Sequence, residues 1–339
     1  MKKLIIIALI IGIASACTKS SIQYEQPGEI SFRPVTAMTT KAAIGGTAYP
    51  EDSQFNVWAW WGDVPAGTTI DKFPAVAEMY LNKRPFAKEE GGSSWVGMDV
   101  PYFWPTRGSL VFAGYSPTTA VAQNFSYSWS DKTMTITAYE QSTKISNTVD
   151  LMWFDVTQRS YADNNNRNSS DVQVDGVPVV FKHLLSWLTF KFTTKEGSSS
   201  YFVTDVELHD IETKARFTSR PATGSEEWSD QTEPKSVPIW RGSQEVTAAD
   251  AVVLESTPYG VLVIPQLCTA EYVQLQIKYK TSEQGDEQTK TAYLTAGADG
   301  DRWKPGKHYT YTITFGNNEI LILPDVTDWE TVTVDIEVQ

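Results

Sequence analysis

The chain has very little cysteine and very little histidine. Cys17 and Cys268 are its two cysteines, and His183, His209 and His308 its three histidines, in 339 residues. No network of disulfides can staple a chain this long with one pair, so a large core must hold it. Each histidine stands alone, with no second His or Cys at metal-ligand spacing, which argues against a zinc site. No G-x-S-x-G, P-loop or dinucleotide fingerprint occurs. No cofactor, metal or catalytic residue is therefore expected, and the chain does not read as an enzyme. Long amphipathic helical periods are missing too, which excludes bundles and coiled coils. Positive charge is scarce, with 28 Lys and Arg against 41 Asp and Glu and a net charge of −13. Such a surface repels nucleic acid and anionic lipid.

What is present begins with a targeting signal. Lys2 and Lys3 precede an apolar run from Leu4 to Ile13, broken only by Gly12, and then "ASAC" ends at Cys17. The run is too short to cross a bilayer as a helix but suits a signal-peptide core. Small residues followed by Cys resemble a bacterial lipoprotein box. Residues 1–16 are then a lipoprotein signal peptide, and Cys17 is lipidated and heads the mature chain. The alternative is an ordinary secretory signal with an incidental Cys. Loss of Lys2 and Lys3 makes the mature net charge −15. Cys268 lies in "VLVIPQLCTAEYVQL" and reads as a small packed residue.

The body reads as all-β. Short runs rich in Val, Ile, Thr, Tyr, Phe and Trp recur between turn clusters, among them "FNVWAWW", "SLVFAGYS", "KTMTITAY", "YFVTDVELHDI" and "HYTYTITF". Many short strands with turns between them predict antiparallel sandwiches. "AVAEMYLNK" is the best candidate for a short helix. The Asn-rich stretch Arg159 to Gly176 reads as a linker, and Ser219 to Ser236 as a second loop. "DNNNRNSSD" lacks the glycine of a calcium loop and has Val174 where its bidentate Glu would stand, so it reads as a solvated loop. The expected organisation is two tandem sandwiches, 42–175 and 176–339. Trp58 and Trp60 share one strand face and Trp61 the other, so at most part of this cluster is free for a ligand.

Several stretches together carry a family resemblance. "YFWPTRGSLVFAGYSP" holds Tyr102 to Pro105 and Tyr115 to Pro117. "VVFKHLLSWLTFKF" holds Phe181, His183 and Ser186, and "VLVIPQ", "IKYK" and "WKPGKHYTYTITF" follow. In this order they resemble the fimbrillin family of Bacteroidales surface proteins. The resemblance implies two β-sandwich domains of transthyretin-like topology. It implies a lipoprotein precursor held in the outer membrane by the lipid on Cys17. A trypsin-like protease removes an N-terminal strand, and subunits polymerise by strand exchange into a fimbria at the cell surface. The partners implied are other fimbrial subunits, the protease, and a host or bacterial surface glycan or protein.

The residues offer candidates for each part. "EISFRPV" is the first strand after Cys17, with Ile30 and Phe32 on one phase. Pro34 donates no backbone hydrogen bond, which restricts this strand to an edge or to its own end. Lys41 lies among small and polar residues and is the expected cleavage site, which makes 17–41 a removable pro-segment. Arg33 precedes a proline and is a poor site. At the other end, "TVTVDIEV" places Val332, Val334, Ile336 and Val338 on one phase of a strand over 331–338. It either closes its own domain or is donated to a neighbour. The first functional expectation is a structural fimbrial subunit. The alternative is a tip adhesin or a monomeric outer-membrane glycan-binding lipoprotein.

Overall fold

The computed structural model describes residues 28–36, 49–119, 124–160, 176–219, 227–255, 260–316 and 320–328. The first half contributes β1 (Phe32–Thr36), β2 (Phe55–Gly62), β3 (Glu78–Lys88), β4 (Trp95–Gly97), β5 (Ser109–Ser116), β6 (Phe125–Ser128), β7 (Thr133–Glu140) and β8 (Met152–Ser160). The second half contributes β9 (Val177–His183), β10 (Ser186–Thr194), β11 (Tyr201–Thr218), β12 (Trp228–Val246), β13 (Val252–Val253), β14 (Val261–Val263), β15 (Gln274–Lys280), β16 (Gln288–Tyr293), β17 (Lys307–Phe315) and β18 (Ile320–Asp328). Only single 3₁₀ turns interrupt them, and no α-helix occurs among the described residues. The all-β reading therefore holds.

Three sheets result. One closes into a barrel in the order β1-β4-β3-β2-β5-β8-β9. The second is ordered β13-β10-β17-β18, with β14 also on β10. The third is ordered β16-β15-β11-β7-β6, with β12 along the far side of β11. Strand alternation fills the barrel with one phase of each strand, such as Val57 and Ala59 of β2 and Leu110 and Phe112 of β5. The second and third sheets enclose a separate core around Phe190, Leu208, Leu275 and Tyr311. A third cluster joins the barrel's outer face to that body, through Trp58, Trp60 and Trp153 against Phe217, Trp228 and Ile264. The Trp228 indole N–H donates to the Leu184 carbonyl at 2.7 Å across this joint.

The sheets depart from the sequence reading in three places. A cut at residue 176 does not separate them. β9 follows that point yet lies in the barrel beside β8, and β6 and β7 precede it yet extend the β11 sheet. Sequence-adjacent segments are thus traded between the two bodies, which polarity alone does not reveal. Glu78 to Lys83 of "AVAEMYLNK" form the start of β3, where pairing with β2 satisfies the backbone and overrides helix propensity. Residues 228–236 belong to β12, whose polar side chains alternate outward along β11 with repeated register shifts. β18 pairs with β17 continuously through Pro324 to Asp328. Two parallel pairings also occur, β1 with β9 and β10 with β17.

Gly114 marks the tightest spot in the barrel wall. A Cβ there would overlap the Phe154 ring and the Asn56 carbonyl. Gly114→Val should destabilise the protein by about 1–3 kcal/mol, read from urea unfolding followed by tryptophan fluorescence.

Candidate functional site

The site that stands out is the slot occupied by β1. Its residues alternate, with Ile30, Phe32 and Pro34 buried and Ser31, Arg33 and Val35 partly exposed. Phe32 is fully buried inside the barrel. Its ring meets Phe55 at 5.7 Å, Phe86 at 4.8 Å and Phe112 at 5.2 Å, each edge-on. That geometry sets ring edges against ring faces, which aromatic quadrupoles favour. Burying this one ring contributes up to about 3 kcal/mol.

The backbone of β1 is held unequally on its two sides. Toward β9 it pairs in parallel over all five residues, Phe32 with Val177 through Thr36 with Phe181. The Val177 N–H donates to the Ser31 carbonyl at 2.7 Å. Toward β4 it pairs only through Phe32 and Trp95. Among the described residues Pro34 therefore has no strand neighbour on that side, which reconciles the proline with a strand that closes a barrel. Ahead of β1, the Ile30 N–H donates to the Tyr102 carbonyl at 2.6 Å and the Trp104 N–H to the Gly28 carbonyl at 3.0 Å.

Other residues shape the slot. Gly176 has φ +112°, and a Cβ there would lie 2.8 Å from the Phe32 carbonyl carbon. Only glycine lets β1 approach this closely. Trp95 walls the opposite side and donates its indole N–H to the Ser53 carbonyl at 3.3 Å. At the end beyond Thr36, Tyr49 stacks on Phe181 at 4.9 Å and shares a 2.5 Å hydrogen bond with Ser116 Oγ. Burial pushes the Tyr49 hydroxyl pKa well up, so it stays a neutral partner. At the other end, Tyr102 donates to Asp99 Oδ1 at 2.7 Å, and burial followed by that bond pushes its pKa up to about 12.

The sequence-predicted residues relate to this slot as follows. Ile30, Phe32 and Pro34 form its content. Cys17, Lys41, Val332, Val334, Ile336 and Val338 all lie outside the described residues. Gly176, Trp95 and Tyr49 carry the slot's shape but have no one-dimensional signal. Gly176 follows an aspartate and reads as an ordinary turn.

Other candidates have simpler roles. Trp58 and Trp60 are buried, and the partly buried Trp61 donates its indole N–H to the Arg107 carbonyl at 2.9 Å. Cys268 is fully buried, and burial raises its thiol pKa to about 12. His183 meets Asp150 at 2.8 Å inside the joint between the two bodies. His209 shares a 2.8 Å hydrogen bond with Ser236. His308 stacks on Trp187 at 3.7 Å and shares a 3.0 Å hydrogen bond with Thr189. No three His, Cys, Asp or Glu side chains gather into a metal site among the described residues.

A family profile described as fimbrillin-like matches residues 40–329. The chain belongs to the fimbrillin-like family. No curated protein matches it. Among solved structures, one assigned to cell adhesion from Bacteroides uniformis shares 16% identity and a TM-score of 0.55, over 89% of this chain and 98% of that one. A fimbrial protein from Bacteroides vulgatus also shares 16% identity and a TM-score of 0.55, over 88% and 99%. One assigned to cell adhesion from Bacteroides ovatus shares 13% identity and a TM-score of 0.51, over 90% and 99%. At such identities the likeness concerns the fold. This fimbrillin-like chain is thus similar in fold to these proteins over nearly their whole length.

Two measurements probe the site and its surroundings. Phe32→Ala should cost about 3–5 kcal/mol in thermal or urea unfolding, because Phe55, Phe86 and Phe112 would line a cavity. Burial, with Lys191 adding to it, lowers the His308 pKa from 6.5 to about 4. As pH falls through 6.5 the unfolded chain takes up this proton before the folded one does. Stability should therefore decline between pH 6.5 and 4, by about 2 kcal/mol after allowing for partial exposure. His308→Gln should remove that part of the decline in parallel unfolding curves.

Proposed function

We propose that this chain is a structural subunit of a fimbria that supports adhesion at the cell surface. In this reading it is exported as a lipoprotein through Cys17 and anchored in the outer membrane. A trypsin-like protease cuts it after Lys41, and subunits then polymerise by strand exchange. It performs no catalysis.

The observation that carries the proposal is the construction of β1. This strand is five residues long, is paired on one side along its length, and fills the barrel with one aromatic side chain. Only residues 37–48 join it to the rest of the chain, and Lys41 lies among them. A cut there makes 17–41 a separate piece, held by the β9 ladder, the inward side chains of Ile30, Phe32 and Pro34, and short bridges to Trp95 and to residues 102–104. Its departure would leave unpaired backbone along β9 and an empty aromatic socket. An exposed edge of this kind is repaired by an incoming strand whose alternate side chains enter the pockets.

The donor proposed is 331–338, with Val332, Val334, Ile336 and Val338 entering the barrel. Four such side chains contribute roughly 6–10 kcal/mol gross. Association entropy and ordering offset much of this. The modular reading follows: the barrel is the accepting unit, and the paired sheets behind it form the sandwich-like unit that carries the donor. The burial of Trp58 and Trp60 supports this reading over a glycan-binding surface at that cluster.

The test is trypsin treatment of the soluble protein followed by a native gel. Wild type should give a ladder. Deletion of 331–339 should leave cut monomers, and Lys41→Ala should leave uncut ones. A ladder from the deletion variant equal to wild type would remove 331–338 as the donor.

A further inference from the structure

Strand exchange would join subunits through one extended segment, yet the fold offers a second contact beside it. We infer that a neighbouring copy of this chain seats Leu321 and Leu323 of its β18 on a patch formed by Tyr80, Met98, Val100 and Phe103. The inference rests on the strand-exchange reading above and adds a body-to-body interface to it.

The patch lies at one mouth of the β1 slot. Residues 98–103 follow β4 and run between β3 and the chain leading into β1. The Met98 N–H donates to the Pro85 carbonyl at 3.0 Å, and the Tyr80 hydroxyl to the Phe103 carbonyl at 2.7 Å. Phe103 itself bridges to Glu29, just ahead of β1. Tyr102 and Trp104 turn inward, while the four patch side chains stay 39–52% exposed. A polar rim flanks them, where Asp99 accepts from Tyr102 and pairs with Arg84 at 3.5 Å. An apolar centre with a polar rim is the anatomy of a protein interface.

Chain direction says what covers the patch. β1 runs from Gly28 at this mouth toward Thr36, beside Phe181. Just past Phe181 the chain enters the joint with the molecule's own second body, at His183 and Leu184. A neighbour's body attached at that inner end would collide with this joint. The mouth beside Phe103 is the open one. A donor strand entering there, parallel to β9 as β1 is, starts with Val332 next to the patch. Val332 follows Asp328, the last residue of β18, by four residues, which span about 13 Å at most. The donor's β18 is therefore tethered close to the acceptor's patch.

β18 is suited to that position. It is the outermost strand of its sheet, paired only to β17 among the described residues. Its outward side chains Leu321 and Leu323 are 45% and 55% exposed. Patch and strand lie on different surfaces of the molecule, so the contact is head-to-tail and propagates along a filament. Cleavage after Lys41 leaves 23 basic and 39 acidic residues, a net charge of −16, so two cut copies repel at long range, which an uncharged contact at the joint tolerates.

The test separates the body contact from the strand. Trypsin-cut acceptor subunits carrying Val100→Glu and Phe103→Glu are offered either whole donor subunits or a synthetic peptide of residues 331–339. Peptide affinity should stay within about twofold of wild type, while affinity for whole subunits should fall by roughly tenfold or more. Leu323→Glu in the donor should reproduce that fall, and Val100→Cys with Leu323→Cys should give disulfide-linked ladders on oxidation. Unchanged addition of whole subunits would overturn the inference while leaving strand exchange standing. Equal loss for peptide and subunit would overturn it as well, because the slot itself would then be damaged. If wild type accepts neither, strand exchange fails and this contact falls with it.

Discussion

The barrel depends on one ring. Phe32 stands edge-on to Phe55, Phe86 and Phe112, and its strand closes the gap between β4 and β9. Most barrel cores are held by strands that hairpins tie to their neighbours. This one is closed by a strand from the chain's beginning, laid in parallel beside β9 from mid-chain. Parallel pairing of such distant segments carries no local tether. The closing strand is thus held by its pairing and by Phe32, with no hairpin to either neighbour.

The rest of the fold holds the slot in shape. β9 is clamped from outside, through the joint in which His183 meets Asp150 and Trp228 reaches the Leu184 carbonyl. β6 and β7 extend the second body's sheet while packing Phe125 against Tyr115 of the barrel, with ring centroids 4.0 Å apart. Because the two bodies exchange strands, the barrel wall is supported from behind over several elements. The same interleaving orients the slot, with one mouth against the molecule's own joint and the other, among the described residues, open beside Phe103.

Much of this was legible in the sequence, and the limits have physical causes. Alternation in "HYTYTITF" and "SLVFAGYS" identifies strands because a pleated sheet sorts side chains with period two. The phase of Ile30 and Phe32 likewise reveals which side of β1 is buried. Pairing partners are a different matter. Nothing local in "EISFRPV" names β9, and the apparent linker before Gly176 joins two strands that are neighbours in one sheet. Polar composition marked residues 228–236 as loop, whereas β12 runs along the outside of β11, wets one face there and takes polar residues on it. Gly176 and Trp95 define the slot only by meeting Phe32 in space, so their importance had no sequence signal. The family resemblance, by contrast, was carried by several short motifs in order, and the family profile spans nearly all of them.

Hydrogen exchange of the β9 backbone tests the central claim most directly. In the intact subunit, amides of Val177, Val179 and Phe181 should be among the slowest to exchange. After cleavage and release of the N-terminal segment they should become markedly faster, and in assembled polymer slow again, while β11 and β17 stay protected throughout. Protection at β9 that is unchanged by cleavage would contradict the account, because β1 would not be the strand that gives way.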